Sequence, residues 1–269
     1  MRTKGFSARS ASLITALALL AVPLVAAPAG ARPLEAIEAR GILSLCAHPN
    51  ALPFSSRRGQ RRGFNIELGE ALARALGVRL SVDWVVTRYH APRVDCDLIL
   101  GSINDREAQQ DRGVRLSKPY QVSGVALALR PDLDGVEGFD DLVNGERVGV
   151  LFGSMAAMLL GQRGATTVPF GFEDDMMAAL GRGEIDAAAV SPASAAYYDH
   201  LNGGGKIRLV HAYEEEPRLR WTLAAGLRRA DLKLVKAVNA ALKRLMADGT
   251  IAAIYARYGI EHRPPPSAR

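Results

Sequence analysis

The residues of this chain that are spaced for chemistry are spaced for capture rather than for bond making. Phe152-Gly153-Ser154 joins an apolar run, 147–151, to a helical stretch that begins at Met155. Such a turn offers backbone N–H groups, here those of Met155 and Ala156, to an anion with the helix dipole behind them. Ser154 is equally a helix N-cap. Phe170 and Phe172 stand two apart, so an extended segment sends both the same way. The acidic turn Glu173-Asp174-Asp175 follows them, and Ser191 follows the apolar run 187–190. Phe54 offers a flat face to a planar ligand or packs in the core. A catalyst needs a positioned acid or base. The carboxylates at 173–175 are candidates by rough location alone, with no nucleophile–base arrangement beside them, so catalysis is not expected. His48, His90, His200, His211 and His262 lack metal-ligand spacing. Met176 and Met177 read as helix packing. No metal and no cofactor is expected.

The elements that must hold these residues alternate as in an α/β fold. Strands are expected at 41–47, 79–86, 96–100, 124–130, 147–151, 187–190, 207–212 and 221–227. Helices are expected at 64–76, 155–160, 174–180, 193–200, 232–246 and 251–258. The first helix has Leu68, Leu72, Ala75 and Leu76 on one face and stops at Gly77. Only nine residues, 87–95, join the second and third strands, fewer than a parallel crossover usually needs. Ligands of such sheets bind beyond the carboxyl ends of strands, where loops and helix N-termini converge. Those positions hold Leu52 and Phe54, Ser102 and Ile103, Phe152, Ser154 and Met155, Phe172, and Ser191.

Residues 1–31 read as a secretory signal. Arg2, Lys4 and Arg9 precede the apolar stretch 11–27, which Pro23 interrupts, and Ala29-Gly30-Ala31 fits a cleavage site. The competing reading is an N-terminal membrane anchor. Loss of those three basic residues takes the formal charge from +6 to +3, which gives no reason to expect nucleic acid. In an exported chain Cys46 and Cys96 are expected to form a disulfide rather than remain free thiols. Arg57, Arg58, Arg61 and Arg62 form a basic loop, read as solvated or as a docking patch for an acidic partner. Glu214-Glu215-Glu216 reads as solvated.

Several motifs, in order, resemble those of the extracellular solute-binding proteins of family 3, the type II periplasmic binding proteins. They are Gly63-Phe64-Asn65-Ile66-Glu67-Leu68, the segment 107–120 ending in Ser117-Lys118-Pro119-Tyr120, the turn 148–154, the stretch 183–190, and the closing Ala247-Asp248-Gly249-Thr250 and 255–259. The resemblance implies two α/β lobes hinged about a central cleft. Lobe 1 would be 34–121 with 218–262, and lobe 2 would be 122–217; 263–269 would be a disordered tail. It implies a monomer in the periplasm. Tyr120 would mark the first hinge. In the family an Arg clamps the ligand's α-carboxylate and an Asp pairs its ammonium; the matching positions here carry Gln110 and Ser191, and Glu107 replaces an assisting Thr. Enclosing a zwitterion without counter-charges costs several kcal/mol per ion. A neutral hydrogen bond returns only about 1 kcal/mol. A standard amino acid is therefore disfavoured, unless Arg106 or Arg112 swings in. The segment Cys46-Ala47-His48-Pro49-Asn50-Ala51-Leu52-Pro53-Phe54-Ser55, with Asp95-Cys96-Asp97, also resembles a subgroup encoded with quinoprotein alcohol dehydrogenases such as methanol dehydrogenase. That resemblance implies an accessory protein with a quinoprotein dehydrogenase or cytochrome c as partner. The alternative is the substrate-binding subunit of an ABC importer, working with its permease on a neutral or weakly charged solute. An enzyme on the same fold is the third reading.

Overall fold

The computed structural model describes residues 33–86, 96–105, 113–142 and 145–266. The leader 1–31, the short link 87–95 and the clamp positions Glu107 and Gln110, with Arg106, Arg112 and His90, lie outside the described residues.

The chain opens with α1 (Leu34–Arg40), β1 (Ile42–Ala47), the two-residue strands β2 (Asn50–Ala51) and β3 (Ser55–Ser56), α2 (Phe64–Ala75), β4 (Arg79–Trp84) and β5 (Leu98–Ile103). It continues through β6 (Val114–Leu116), β7 (Gln121–Gly124), β8 (Ala126–Leu129), β9 (Arg147–Leu151), α3 (Met155–Gln162), β10 (Thr166–Phe170), α4 (Glu173–Gly181), β11 (Ala187–Val190), α5 (Pro192–Leu201) and β12 (Arg208–Val210). It closes with β13 (Arg220–Arg228), α6 (Leu232–Ala247) and α7 (Thr250–Ala256).

The strands form two principal sheets. The first runs β4-β1-β5-β13-β6, with β7 also paired to β13; the second runs β10-β9-β11-β8-β12. In the first, β1 is parallel to β4 and β5. In the second, β9 is parallel to β10 and β11. This is the two-lobed α/β architecture expected from the sequence. Each lobe buries its own apolar cluster. Leu43, Leu45, Leu68, Leu72 and Leu98 pack in the first, and Leu127, Val148, Val150 and Leu160 in the second. The stripe of α2 explains its docking: Leu68 and Leu72 are fully buried, and a Cβ at Gly69 would stand 3.0 Å from a methyl of Leu45. Helix α6 buries Leu234, Val238, Ala241 and Leu242, one face of a 3.6-residue period. Asp231 caps it by accepting the Leu234 N–H at 2.8 Å.

Two segments connect the lobes. One is β7–Val125–β8, and the other returns through the 3-10 turns at Ala212–Glu214 and Pro217–Leu219 into β13. They touch: the Val125 N–H donates to the Leu219 carbonyl at 2.9 Å. A Cβ at Gly124 would meet that carbonyl oxygen at 2.4 Å and the Tyr213 ring at 2.5 Å, so only glycine fits between them. Arg263, the first residue of the tail expected to be disordered, is ordered against the same crossing. Val122 N–H donates to the Arg263 carbonyl at 2.7 Å, and Arg263 N–H donates to Gln121 Oε1 at 3.0 Å.

Cys46 of β1 and Cys96, two residues before β5, are joined by a disulfide that closes a loop of sequence separation 50. Beside it the fully buried Asp97 accepts from the Ser44 N–H and hydroxyl, both at 2.9 Å, and from Arg40 Nη2 at 2.7 Å.

Candidate functional site

Because β10, β9 and β11 are parallel, their carboxyl ends at Phe170, Leu151 and Val190 lie along one edge of the second sheet. Each leads into a helix, so the N-termini of α3, α4 and α5 gather there. Ser154 caps α3 by accepting the Ala157 N–H at 3.1 Å. Ser191 caps α5 by accepting the Ser194 N–H at 3.2 Å, and Pro192 fills the first helical position, where its missing N–H costs nothing. Each helix end carries unpaired N–H groups and a partial positive charge.

Glu173 is the first residue of α4, and its side chain crosses to α5. Its Oε1 accepts the Ser191 N–H at 2.9 Å, and its Oε2 accepts the Ser191 hydroxyl at 2.7 Å and the Ser194 hydroxyl at 2.5 Å. No Lys or Arg among the described residues forms an ion pair with it. A carboxylate is thus fixed on the Ser191 end of α5 without a cationic partner.

One cavity of about 130 Å³ joins the lobes at this place. Phe54 and Phe64 line it from the first lobe, Ser191, Pro192 and Ala193 from the second, and Gln121 and Tyr213 from the crossing segments. That volume is below the ~300 Å³ of a typical small-molecule pocket. Tyr255 also lines it; this tyrosine is fully buried, its hydroxyl has no hydrogen-bond partner, and burial pushes its pKa well above the ordinary value. His211, another lining residue, has an unpartnered Nδ1, and burial lowers its pKa.

The remaining residues expected in the cleft divide into two groups. Leu52, Ile103, Phe152, Met155 and Phe172 are large apolar side chains left exposed at strand ends, Phe152 by 84% and Phe172 by 67%. Tyr120 and Ser102 instead support the scaffold. Tyr120 is fully buried, its hydroxyl accepts the Gly101 N–H at 2.9 Å, and burial raises its pKa to about 12. Ser102 Oγ donates to the Ile99 carbonyl at 3.2 Å. The structure brings Phe54 and Ser191 to one cavity, while Gln110 lies outside the described residues. Reading the sequence places Glu173 in the cleft only as a candidate acid and misses Ser194 and Tyr255. The Glu173–Ser191 contact spans 18 residues, and no local motif announces it.

The profile of the bacterial extracellular solute-binding proteins, family 3, matches residues 43–261. The chain belongs to this family. As a family 3 solute-binding protein it is periplasmic, and it is a binding protein rather than an enzyme. It is similar to the L-cystine-binding protein TcyJ of Escherichia coli strain K12, 27% identical over 250 residues that cover 90% of this chain and 91% of that one. Among solved structures it resembles an ancestral cationic amino acid solute-binding protein, AncCDT-1, with TM-score 0.71 and 25% identity, covering 84% of this chain and 98% of that one. It also resembles the periplasmic binding protein XoxJ of Methylobacterium extorquens AM1, with TM-score 0.67 and 22% identity over 83% of this chain and all of that one. At that identity the likeness to XoxJ is one of fold alone.

These relatives overturn the expectation of a quinoprotein-dehydrogenase accessory. The solute-binding proteins to which this one is similar in sequence are named for cystine, for lysine, arginine and ornithine, for histidine and for glutamate. One of the two positions that led away from amino acids lies within the described residues. Ser191 is neutral, yet it carries the Glu173 carboxylate on its hydroxyl and its N–H.

Proposed function

We propose that this protein is the solute receptor of an ABC importer and delivers a small solute of the amino-acid class to the permease. The observation that carries this reading is the cavity shared by Phe54 of one lobe and Ser191 of the other, with the Glu173 carboxylate fastened to Ser191. An aromatic face, a fixed negative charge and gathered helix N-termini suit a ligand with an apolar body, an ammonium and a carboxylate. The sequence relatives, named for amino acids and spanning most of the chain, support it.

In this reading residues 1–31 are removed on export, and the lobes are 34–121 with 218–262 and 122–217. Closure on a solute brings Leu52 and Ile103 toward Phe152, Met155 and Phe172 and takes their exposed apolar surface out of water. The site residues are then Phe54, Ser191 and Glu173 with these lips. Thermal denaturation of residues 32–269 against the proteinogenic L-amino acids, L-cystine and L-ornithine tests it. A receptor is stabilised by its ligand through mass action, so at least one of these raises Tm in a concentration-dependent way. A flat response across the panel contradicts the reading.

A further inference from the structure

Among the described residues no Lys or Arg pairs with Glu173, whose carboxylate is bonded to Ser191 of the cavity lining. Its carboxylate is held by three donors from α5, at 2.9, 2.7 and 2.5 Å. An ionised carboxylate has about four acceptor sites, which leaves roughly one unfilled. The carboxylate of Glu216 shows the contrast, because it is paired with both Arg163 and Arg218. A half-buried acid that is oriented but not neutralised is ready for an incoming cation. The cavity that Ser191 lines holds a second, independent group without a partner, the buried Tyr255 hydroxyl. An unpaired buried hydroxyl costs about 1–3 kcal/mol unless something fills the cavity and bonds to it.

Resting on the receptor reading above, we propose that Glu173 is the ammonium receptor of the cleft, and that the solute is a primary amine with an apolar body. The ammonium sits against the Glu173 carboxylate beside Ser191, and the body lies between Phe54 and the exposed lips Phe152 and Phe172. Ser191 and Ser194 act as positioning residues, because their hydroxyls aim the carboxylate and do not themselves carry charge. The acid that a clamp needs is supplied from the helix after β10 rather than from the residue after β11. Closure strengthens the pair, since an ion pair gains as water leaves.

The test uses residues 32–269 and calorimetric titration with L-leucine and L-phenylalanine, each beside its deamino counterpart, 4-methylpentanoate and 3-phenylpropanoate. The wild type is expected to bind at least one of the amino acids and to bind its deamino counterpart far more weakly. Glu173→Gln keeps the side chain's size and an acceptor for α5 but removes the charge. It is expected to weaken the amino acid roughly 30-fold or more and to leave the deamino compound unchanged. Adding Ser191→Asp to Glu173→Gln is expected to restore amino-acid affinity. If Glu173 only caps α5, the substitution lowers Tm and changes both members of a pair equally, which overturns the proposal while leaving the receptor reading standing. If the wild type binds neither these amino acids nor any other ammonium compound of the wider panel, both readings fall.

Discussion

The Glu173 carboxylate accepts the Ser191 hydroxyl at 2.7 Å, joining the first residue of α4 to the cap of α5. The acid therefore serves two ends. Towards the protein it satisfies N–H and O–H donors at a helix N-terminus, where negative charge is favoured. In the proposed receptor it would also supply, towards the cleft, the charge that the serine lacks. Ser191→Ala removes the α5 cap and one donor to Glu173 but keeps the backbone N–H bond. A stability loss of about 1 kcal/mol is expected, together with weaker binding of any ammonium ligand; urea unfolding and titration of the same sample measure both. Unchanged affinity would mean that the hydroxyl does not aim the acid.

The disulfide can be weighed separately from the cleft. Cys46 and Cys96 close a loop of separation 50. In the chain-entropy model a loop of that size contributes on the order of 4 kcal/mol. The double substitution Cys46→Ser with Cys96→Ser is expected to lower the unfolding free energy by about 2–4 kcal/mol without altering which solutes bind. Loss of solute selectivity instead would make the bridge part of the site.

Asp97 sits next to that bridge, fully buried, holding both donors of Ser44 and the Arg40 guanidinium. Asp97→Ala strands those groups, and removing one partner of a buried charged network costs roughly 3–5 kcal/mol. Chemical denaturation should find the variant severely destabilised. A loss below about 1 kcal/mol would show that water readily replaces the carboxylate.

At the crossing of the lobes, Gly124 admits no side chain. Alanine there would put its Cβ 2.4 Å from the Leu219 carbonyl oxygen and 2.5 Å from the Tyr213 ring. Backbone on one side and a buried ring on the other leave little room to relax. Gly124→Ala is expected to cost about 1–3 kcal/mol of stability and to weaken solute binding by displacing one lobe from the other. Scattering profiles with and without solute would register the altered lobe geometry, and wild-type profiles would count against it.

Glu216, between the 3-10 turns of the return crossing, gives the fold a pH signature. Hydrogen bonds from Arg218 and then Arg163 hold its pKa down at about 2, against the burial that opposes ionisation. The folded value lies below the unfolded one, so the contribution is complete above about pH 4.5 and is lost as pH falls towards 2. Wild type should exceed Glu216→Gln in stability at neutral pH, with the gap narrowing across that window. A gap that stays constant with pH would contradict the assignment.

Much of the scaffold was legible because it rests on local periodicity. The apolar run 187–190 became β11, the stripe of Leu68 and Leu72 became the buried face of α2, and the stretch from Leu232 became α6. The bridge between Cys46 and Cys96 followed from export and strand adjacency. Other elements left weaker traces. Strand β10 contains Pro169 and is half exposed, so neither alternation nor an apolar run marks it. Helix α1 has only seven residues and one fully buried side chain, Ile37. At the site, Phe54 and Ser191 were legible because both follow strand ends. The bond from Ser191 to Glu173 left no trace in the sequence because it joins two helix N-termini 18 residues apart.

The most direct measurement of the central claim is a calorimetric titration of residues 32–269 with the amino acid that raises Tm most in the panel. The account predicts saturable 1:1 binding with a negative heat-capacity change, as the apolar lips leave water on closure. Absence of saturable heat with any ammonium-bearing solute would contradict it.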